Sequence, residues 1–218
     1  MPSSATTRAE RGAFISIEGI DGAGKSTQSR ALAEMLRARG HAPVMTREPG
    51  GAPGAEDIRR LLVEGEPEKW SPETEILLFT AARRDHVEKL ITPTLEAGGL
   101  VISDRFADST RVYQGAVRAS LRGMVDALHS LMIGIEPDLT LIIDMDPELA
   151  LKRGLSRQSG EDRFEDFGLE FQQALRAGFV ELAREFPKRC RLIDGNRAAE
   201  EIAADLSAIT SDWLDGRA

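Results

Sequence analysis

The chain has 218 residues, 41% hydrophobic and 29% charged, the profile of one folded domain of ordinary size. A net charge of −8 argues against broad binding to nucleic acid, and no apolar run approaches the ~20 residues that a membrane span needs. Cys190 stands alone, and His41, His86 and His129 show no ligand spacing, which leaves no internal disulfide and no metal cluster and makes the cytoplasm the default location.

Residues 1–12 are small and polar, without the apolar core of a secretory signal, and read as a flexible N-terminal tail ahead of a single domain over 13–218. Ala13 to Glu18 reads as a buried strand. Next comes Gly19-Ile20-Asp21-Gly22-Ala23-Gly24-Lys25-Ser26-Thr27, a full match to G-x-x-x-x-G-K-[ST]. Leu32, Met35 and Leu36 then recur at helical spacing. Strand, glycine loop and helix in that order predict a phosphate cradle, with backbone N–H groups and a helix N-terminus turned toward an anion. Lys25 is expected to charge-pair with the β- and γ-phosphates of a nucleoside triphosphate, and the Ser26 hydroxyl to ligate Mg²⁺. Asp21 would be repelled by a triphosphate, so it either faces a sugar hydroxyl on a second substrate or merely suits the tight turn.

A short strand, Pro43 to Thr46, leads into Arg47-Glu48-Pro49-Gly50-Gly51, which suits neither helix nor strand. Ile58, Leu61 and Leu62 mark a short helix with Arg59 and Arg60 on its polar side. Ser71-Pro72 opens a long helix carrying Leu77, Leu78, Phe79, Ala82 and Arg83, with a bend expected near Pro93 and a stop at Gly98-Gly99. Leu100 to Ser103 is a third strand, ending in Asp104-Arg105-Phe106. A helix is expected over Ser120 to Gly134, a strand over Leu139 to Asp144, and a helix from Pro147. Arg153 to Asp166 is charged and poor in apolar residues, which suits a lid over a phosphoryl group or a plain solvated loop. Helix over Phe167 to Glu185, strand over Arg191 to Asp194 and helix over Ala198 to Leu214 complete the chain.

Strands alternating with helices predict an α/β fold with a parallel sheet covered on both faces. The polar clusters at Gly19–Ser26, Arg47–Gly51, Asp104–Phe106 and Asp144–Asp146 each follow a strand, so they are expected to meet in one cleft at the carboxyl ends. Asp104 and Arg105 suit a hydrated metal and an acceptor phosphate respectively, or else a surface ion pair.

The segments 21–27, 46–51 (Thr-Arg-Glu-Pro-Gly-Gly), 78–83 (Leu-Phe-Thr-Ala-Ala-Arg), 104–110 (Asp-Arg-Phe-Ala-Asp-Ser-Thr) and 113–115 (Tyr-Gln-Gly) together resemble the bacterial thymidylate kinases, from about Phe14 to the end. The resemblance implies a P-loop three-layer fold with a five-stranded parallel sheet, transfer of phosphate from ATP to dTMP, Mg²⁺, and a homodimer. It implies that Phe79 stacks on thymine, that Arg83 donates to the base, and that Thr110 and Gln114 lie along it. Tyr113 would sit under the deoxyribose and Asp21 would face the 3′-hydroxyl. Arg59 and Arg105 would hold the acceptor phosphate near Glu48. The phosphate loop has no arginine among its variable positions, which makes Arg153, Arg157 and Arg163 in the lid the catalytic candidates. The alternatives are a P-loop kinase for another nucleotide or nucleoside and a nucleotide switch. The sole asparagine, Asn196, precedes Arg197 and does not form the guanine-reading Asn-Lys-x-Asp.

Overall fold

The computed structural model describes residues 11–66, 69–116, 121–155 and 168–217. At its centre is β1 (Ala13–Glu18), whose six residues are all buried. β3 (Leu100–Asp104) and β4 (Leu139–Asp144) pair with it on either side, and β2 (Val44–Arg47) and β5 (Cys190–Asp194) form the edges, giving the order β2-β3-β1-β4-β5 with every pair parallel. Strands buried on both faces favour apolar side chains at consecutive positions, which is why β1, β3 and β4 read as mostly hydrophobic runs. On β1, Phe14 packs with Val101 against Val87, Ile91 and Leu95. Ile15 and Ile17 join a larger cluster with Leu32 and Leu36.

Helix α1 (Lys25–Ala38) follows the phosphate loop, and α2 (Pro53–Val63) follows β2. Helix α3 (Pro72–His86) starts as its sequence dictates: the Ser71 hydroxyl accepts from Thr74 N at 3.2 Å and Pro72 occupies the first turn. It runs without a break through a π-helical turn, Val87–Ile91, into α4 (Thr92–Glu96). Pro93 lacks an N–H, and its ring crowds the carbonyl four residues back, which accounts for the widened turn ahead of it at the place where a bend was expected.

Helix α5 (Ala107–Thr110) and a second π-helical turn, Arg111–Ala116, follow β3; neither was legible beforehand. Helices α6 (Arg122–Met132), α7 (Pro147–Leu155), α8 (Gly168–Glu185) and α9 (Ala199–Asp215) complete the layers. Two expectations need correction. Arg11 and Gly12 are not part of a loose tail, because Arg11 pairs with Asp138 at 3.0 Å and Gly12 N donates to Leu95 O at 2.8 Å. Leu61 and Leu77, among the apolar positions that mark their helices, are instead exposed, as are Leu131 and Met132 of α6. Among the described residues no helix is long and apolar enough to cross a membrane.

Candidate active site

The phosphate loop is packed closely against its neighbours. Gly22 has φ +81°, and a Cβ there would lie 2.0 Å from the Ala150 carbonyl, so the loop can press against α7 only with glycine at that position. The Lys25 ammonium donates across the loop to Ile20 O at 2.8 Å and lies 3.9 Å from the Asp21 carboxylate. Burial, reinforced by the neighbouring Arg105, pushes its pKa down to about 8, which leaves it largely cationic at neutral pH. Ser26 Oγ donates to Asp104 Oδ2 at 2.5 Å. One hydroxyl and one carboxylate, both hard oxygen donors, suit Mg²⁺, which usually completes its shell with substrate phosphates and water rather than with a protein cage. Among the described residues there is no cluster of three His, Cys, Asp or Glu side chains that would suit a different, fully protein-bound ion.

Arg105 sits where β3 ends, with φ +70° in the left-handed region. Two contacts hold that conformation: Ser103 Oγ donates to Arg105 O at 2.7 Å, and Phe106 N donates to Glu18 Oε1 at 2.7 Å. Its guanidinium donates to Asp21, to Ser109 Oγ at 2.8 Å, to Gly19 O at 3.2 Å and to Tyr113 Oη at 3.0 Å. The Tyr113 hydroxyl in turn donates to Asp21 Oδ2 at 2.6 Å. Burial alone would raise the Asp21 pKa, but Arg105, Lys25 and the Tyr113 hydrogen bond outweigh it and keep the carboxyl below its usual range. Glu18 behaves in the opposite way. Burial, with Asp108 adding to it, pushes its carboxyl up to about 7 against the pull of Arg105 and the Ser109 hydrogen bond.

Further along the same cleft, Arg83 and Glu48 form a buried pair, Nε to Oε2 at 2.7 Å, with Arg83 Nη2 donating to Thr110 Oγ1 at 3.0 Å. The Arg83 guanidinium lies 5.2 Å from the centre of the Phe106 ring. Arg59 Nη1 donates to Pro49 O at 2.5 Å. Gln114 Nε2 is 3.5 Å from Glu75, and its Oε1 is buried without a partner among the described residues.

One pocket is lined by Asp21, Glu48, Arg59, Phe79, Arg83, Arg105, Thr110, Tyr113 and Gln114, the nine residues expected to meet an acceptor. Pro49 and Phe106, from two of the strand-end clusters, line it too, as do Val63 and Ser109, which had not been anticipated. Ser109 could have been found from its helical spacing, four residues from both Arg105 and Tyr113. The buried supports Glu18 and His86 carry no local sequence signal. The fourth strand-end cluster does not join this pocket. Asp144 is clasped by Arg176 at 2.5 and 2.9 Å, and Asp146 caps α7 by accepting from Glu148 N and Leu149 N. Arg153 lies on α7 with Nη1 3.5 Å from Met145 Sδ. Arg157 and Arg163, with most of the expected lid, lie outside the described residues.

A parallel sheet with this phosphate loop after its central strand, opening onto a pocket lined by Arg59, Arg83 and Arg105, has the build of a P-loop phosphotransferase. Residues 17–206 match the family model described as thymidylate kinase. The chain is 72% identical over 197 residues to a thymidylate kinase of Dinoroseobacter shibae, covering 90% of this chain and 95% of that protein. It is 65% identical over 204 residues to one of Ruegeria pomeroyi, covering 94% and 97%. A crystal structure of thymidylate kinase from Ehrlichia chaffeensis superposes with a TM-score of 0.75 at 34% identity, covering 92% of this chain and 99% of that one. The chain belongs to the thymidylate kinase family, and so is an ATP-dependent nucleoside monophosphate kinase that phosphorylates dTMP.

Proposed function

We propose that dTMP lies in the pocket with its phosphate toward Arg105, and that ATP lays its triphosphate along Gly19 to Thr27. An oxygen of the dTMP phosphate attacks the γ-phosphorus while the bond to the β,γ-bridging oxygen breaks, leaving dTDP and ADP. The chain contributes position and charge rather than covalent chemistry. Lys25 holds the β- and γ-oxygens. Arg105 and Arg59 grip the acceptor phosphate, near Glu48. Asp21 and Tyr113 flank the deoxyribose, Phe79 stacks on thymine, and Arg83, Thr110 and Gln114 meet its polar edge. Ser26 and Asp104 would hold Mg²⁺, which when bound supplies positive charge to the β- and γ-phosphates. Arg153, Arg157 and Arg163 are the lid candidates for charge on the moving group.

One observation carries this reading. Arg105 lines the acceptor pocket and also donates to Gly19 O of the phosphate loop, while its partner Asp21 lies 3.9 Å from Lys25. A phosphate gripped by Arg105 therefore stands beside the one held by Lys25. The product feeds dTTP synthesis in the cytoplasm, and neither nucleic acid nor membrane is a partner. A second copy of the chain completes the assembly, docking on the exposed Leu61, Leu77, Leu131 and Met132 of α2, α3 and α6, which pack side by side.

The test is ADP release from ATP and Mg²⁺ with dTMP, dUMP, dCMP, dGMP and AMP offered in turn, for the parent and for Arg83→Ala. dTMP should be turned over fastest, and the variant should raise KM for dTMP about tenfold or more with KM for ATP unchanged. ADP release independent of any acceptor overturns the reading.

A further inference from the structure

His86 is fully buried and does not line the pocket, yet it completes the support of a residue that does. It lies three residues after Arg83 on α3, a spacing that puts both side chains on one helix face. Both reach Glu48. Glu48 Oε2 accepts from Arg83 Nε at 2.7 Å, and Oε1 lies 3.0 Å from His86 Nδ1. A carboxylate only accepts, so Nδ1 carries a proton there. The other ring nitrogen, Nε2, is 2.7 Å from Thr46 Oγ1 on β2. The ring is thus anchored at one end to the sheet and at the other to Glu48. The loop carrying Glu48 is fitted around it: a Cβ on Gly51 would come within 2.4 Å of both His86 Nε2 and Thr46 Oγ1, and Gly51 has φ +87°.

The arrangement matters because a guanidinium and a carboxylate left to themselves favour a two-pronged contact. Here Glu48 takes only Nε of Arg83. Nη2 goes to Thr110, and Nη1 has no partner among the described residues. We propose that His86 is a positioning residue for the acceptor base. By occupying Glu48 Oε1 it keeps Glu48 from capturing a second nitrogen of Arg83, and so leaves the terminal N–H groups turned toward Thr110 and the ligand. The proposal rests on the reading above that Arg83 donates to the base.

Two polar substitutions separate the two ends of the ring. His86→Asn places an amide N–H near the Nδ1 position and keeps the Glu48 contact, while His86→Gln reaches toward Thr46 and leaves Glu48 Oε1 bare. KM for dTMP and for ATP, kcat and the melting temperature are measured for both, alone and with Arg83→Ala. His86→Gln should raise KM for dTMP about tenfold, the worth of one hydrogen bond to a charged group, with KM for ATP within about twofold. His86→Asn should stay within about threefold of the parent on dTMP. In the Arg83→Ala background, His86→Gln should add nothing. Equal effects of the two substitutions, or parallel rises in both KM values, overturn the positioning role. If His86→Gln does not fold, His86→Asn decides alone: a tenfold rise in its KM for dTMP overturns the proposal. If Arg83→Ala itself leaves KM for dTMP unchanged, the assignment of the base site falls and the proposal falls with it. An effect of Arg83→Ala without one of His86→Gln removes the proposal only.

Discussion

Glu18 places an ionisable group where neither water nor a full counter-charge reaches it. Its folded-state pKa of about 7 lies above the ordinary 4.5, chiefly through burial. For a carboxyl shifted upward, the folded state holds the proton more tightly than the unfolded chain between those two values, so stability falls as pH rises through that window. The contribution is fully present below about 4.5 and lost above about 7, with a span on the order of 3 kcal/mol. Glu18→Gln removes the titration and keeps the shape. The difference in melting temperature between parent and variant should therefore favour the parent near pH 5 and move toward the variant by pH 8. A difference that does not change with pH would show that Glu18 does not ionise in this range.

At the scale of elements, the strands and the phosphate loop were readable because β1, β3 and β4 are buried on both sides and so are mostly apolar, with Ser16, Glu18, Ser103 and Thr140 as the buried polar exceptions. The turns at strand ends were readable through residue types that regular structure rejects, such as Glu48-Pro49-Gly50. The supports were not readable. Glu18 meets Phe106 and Ser109 across 88 and 91 residues of chain, and His86 meets Thr46 across 40, and no local pattern reports a partner so distant. Asp144 failed for a related reason: a strand-end carboxylate looks free until Arg176 from α8 reaches it.

The π-helical turn Arg111–Ala116 is a further case, since it carries Tyr113 and Gln114 to the pocket together and its widening leaves no simple periodicity. The Tyr113 ring is backed by Phe171 and Phe179 at centroid distances of 6.3 and 6.4 Å, a fixed position from which, on the proposed placement of dTMP, it would exclude an added 2′-hydroxyl. Replacing Tyr113 with alanine should improve turnover of the ribose analogue relative to dTMP, at a cost to dTMP itself. Tyr113→Phe should retain the discrimination, because the ring excludes, but should lower kcat/KM, because Asp21 and Arg105 lose a hydroxyl between them. Equal proportional losses on both sugars in the alanine variant would make Tyr113 a packing residue.

Across the whole molecule, two helices serve two surfaces. Helix α2 carries Arg59 into the pocket and turns Leu61 outward; α3 carries Phe79 and Arg83 inward and turns Leu77 outward. A second copy seated on the outer leucines would therefore press on the back of the wall that grips the acceptor. Were that pressure to favour the gripping form of the wall, association and acceptor affinity would be thermodynamically linked, each strengthening the other by the same factor. Light scattering should find a dimer, and Leu77→Asp with Leu131→Asp should give a monomer. In the monomer, and in the parent diluted below its dissociation constant, KM for dTMP should rise several-fold while KM for ATP stays level. A monomeric variant with parental KM for dTMP would uncouple the two surfaces. Concentration of the enzyme would thus act as an effector of its own acceptor site, sensed through the outward faces of α2 and α3.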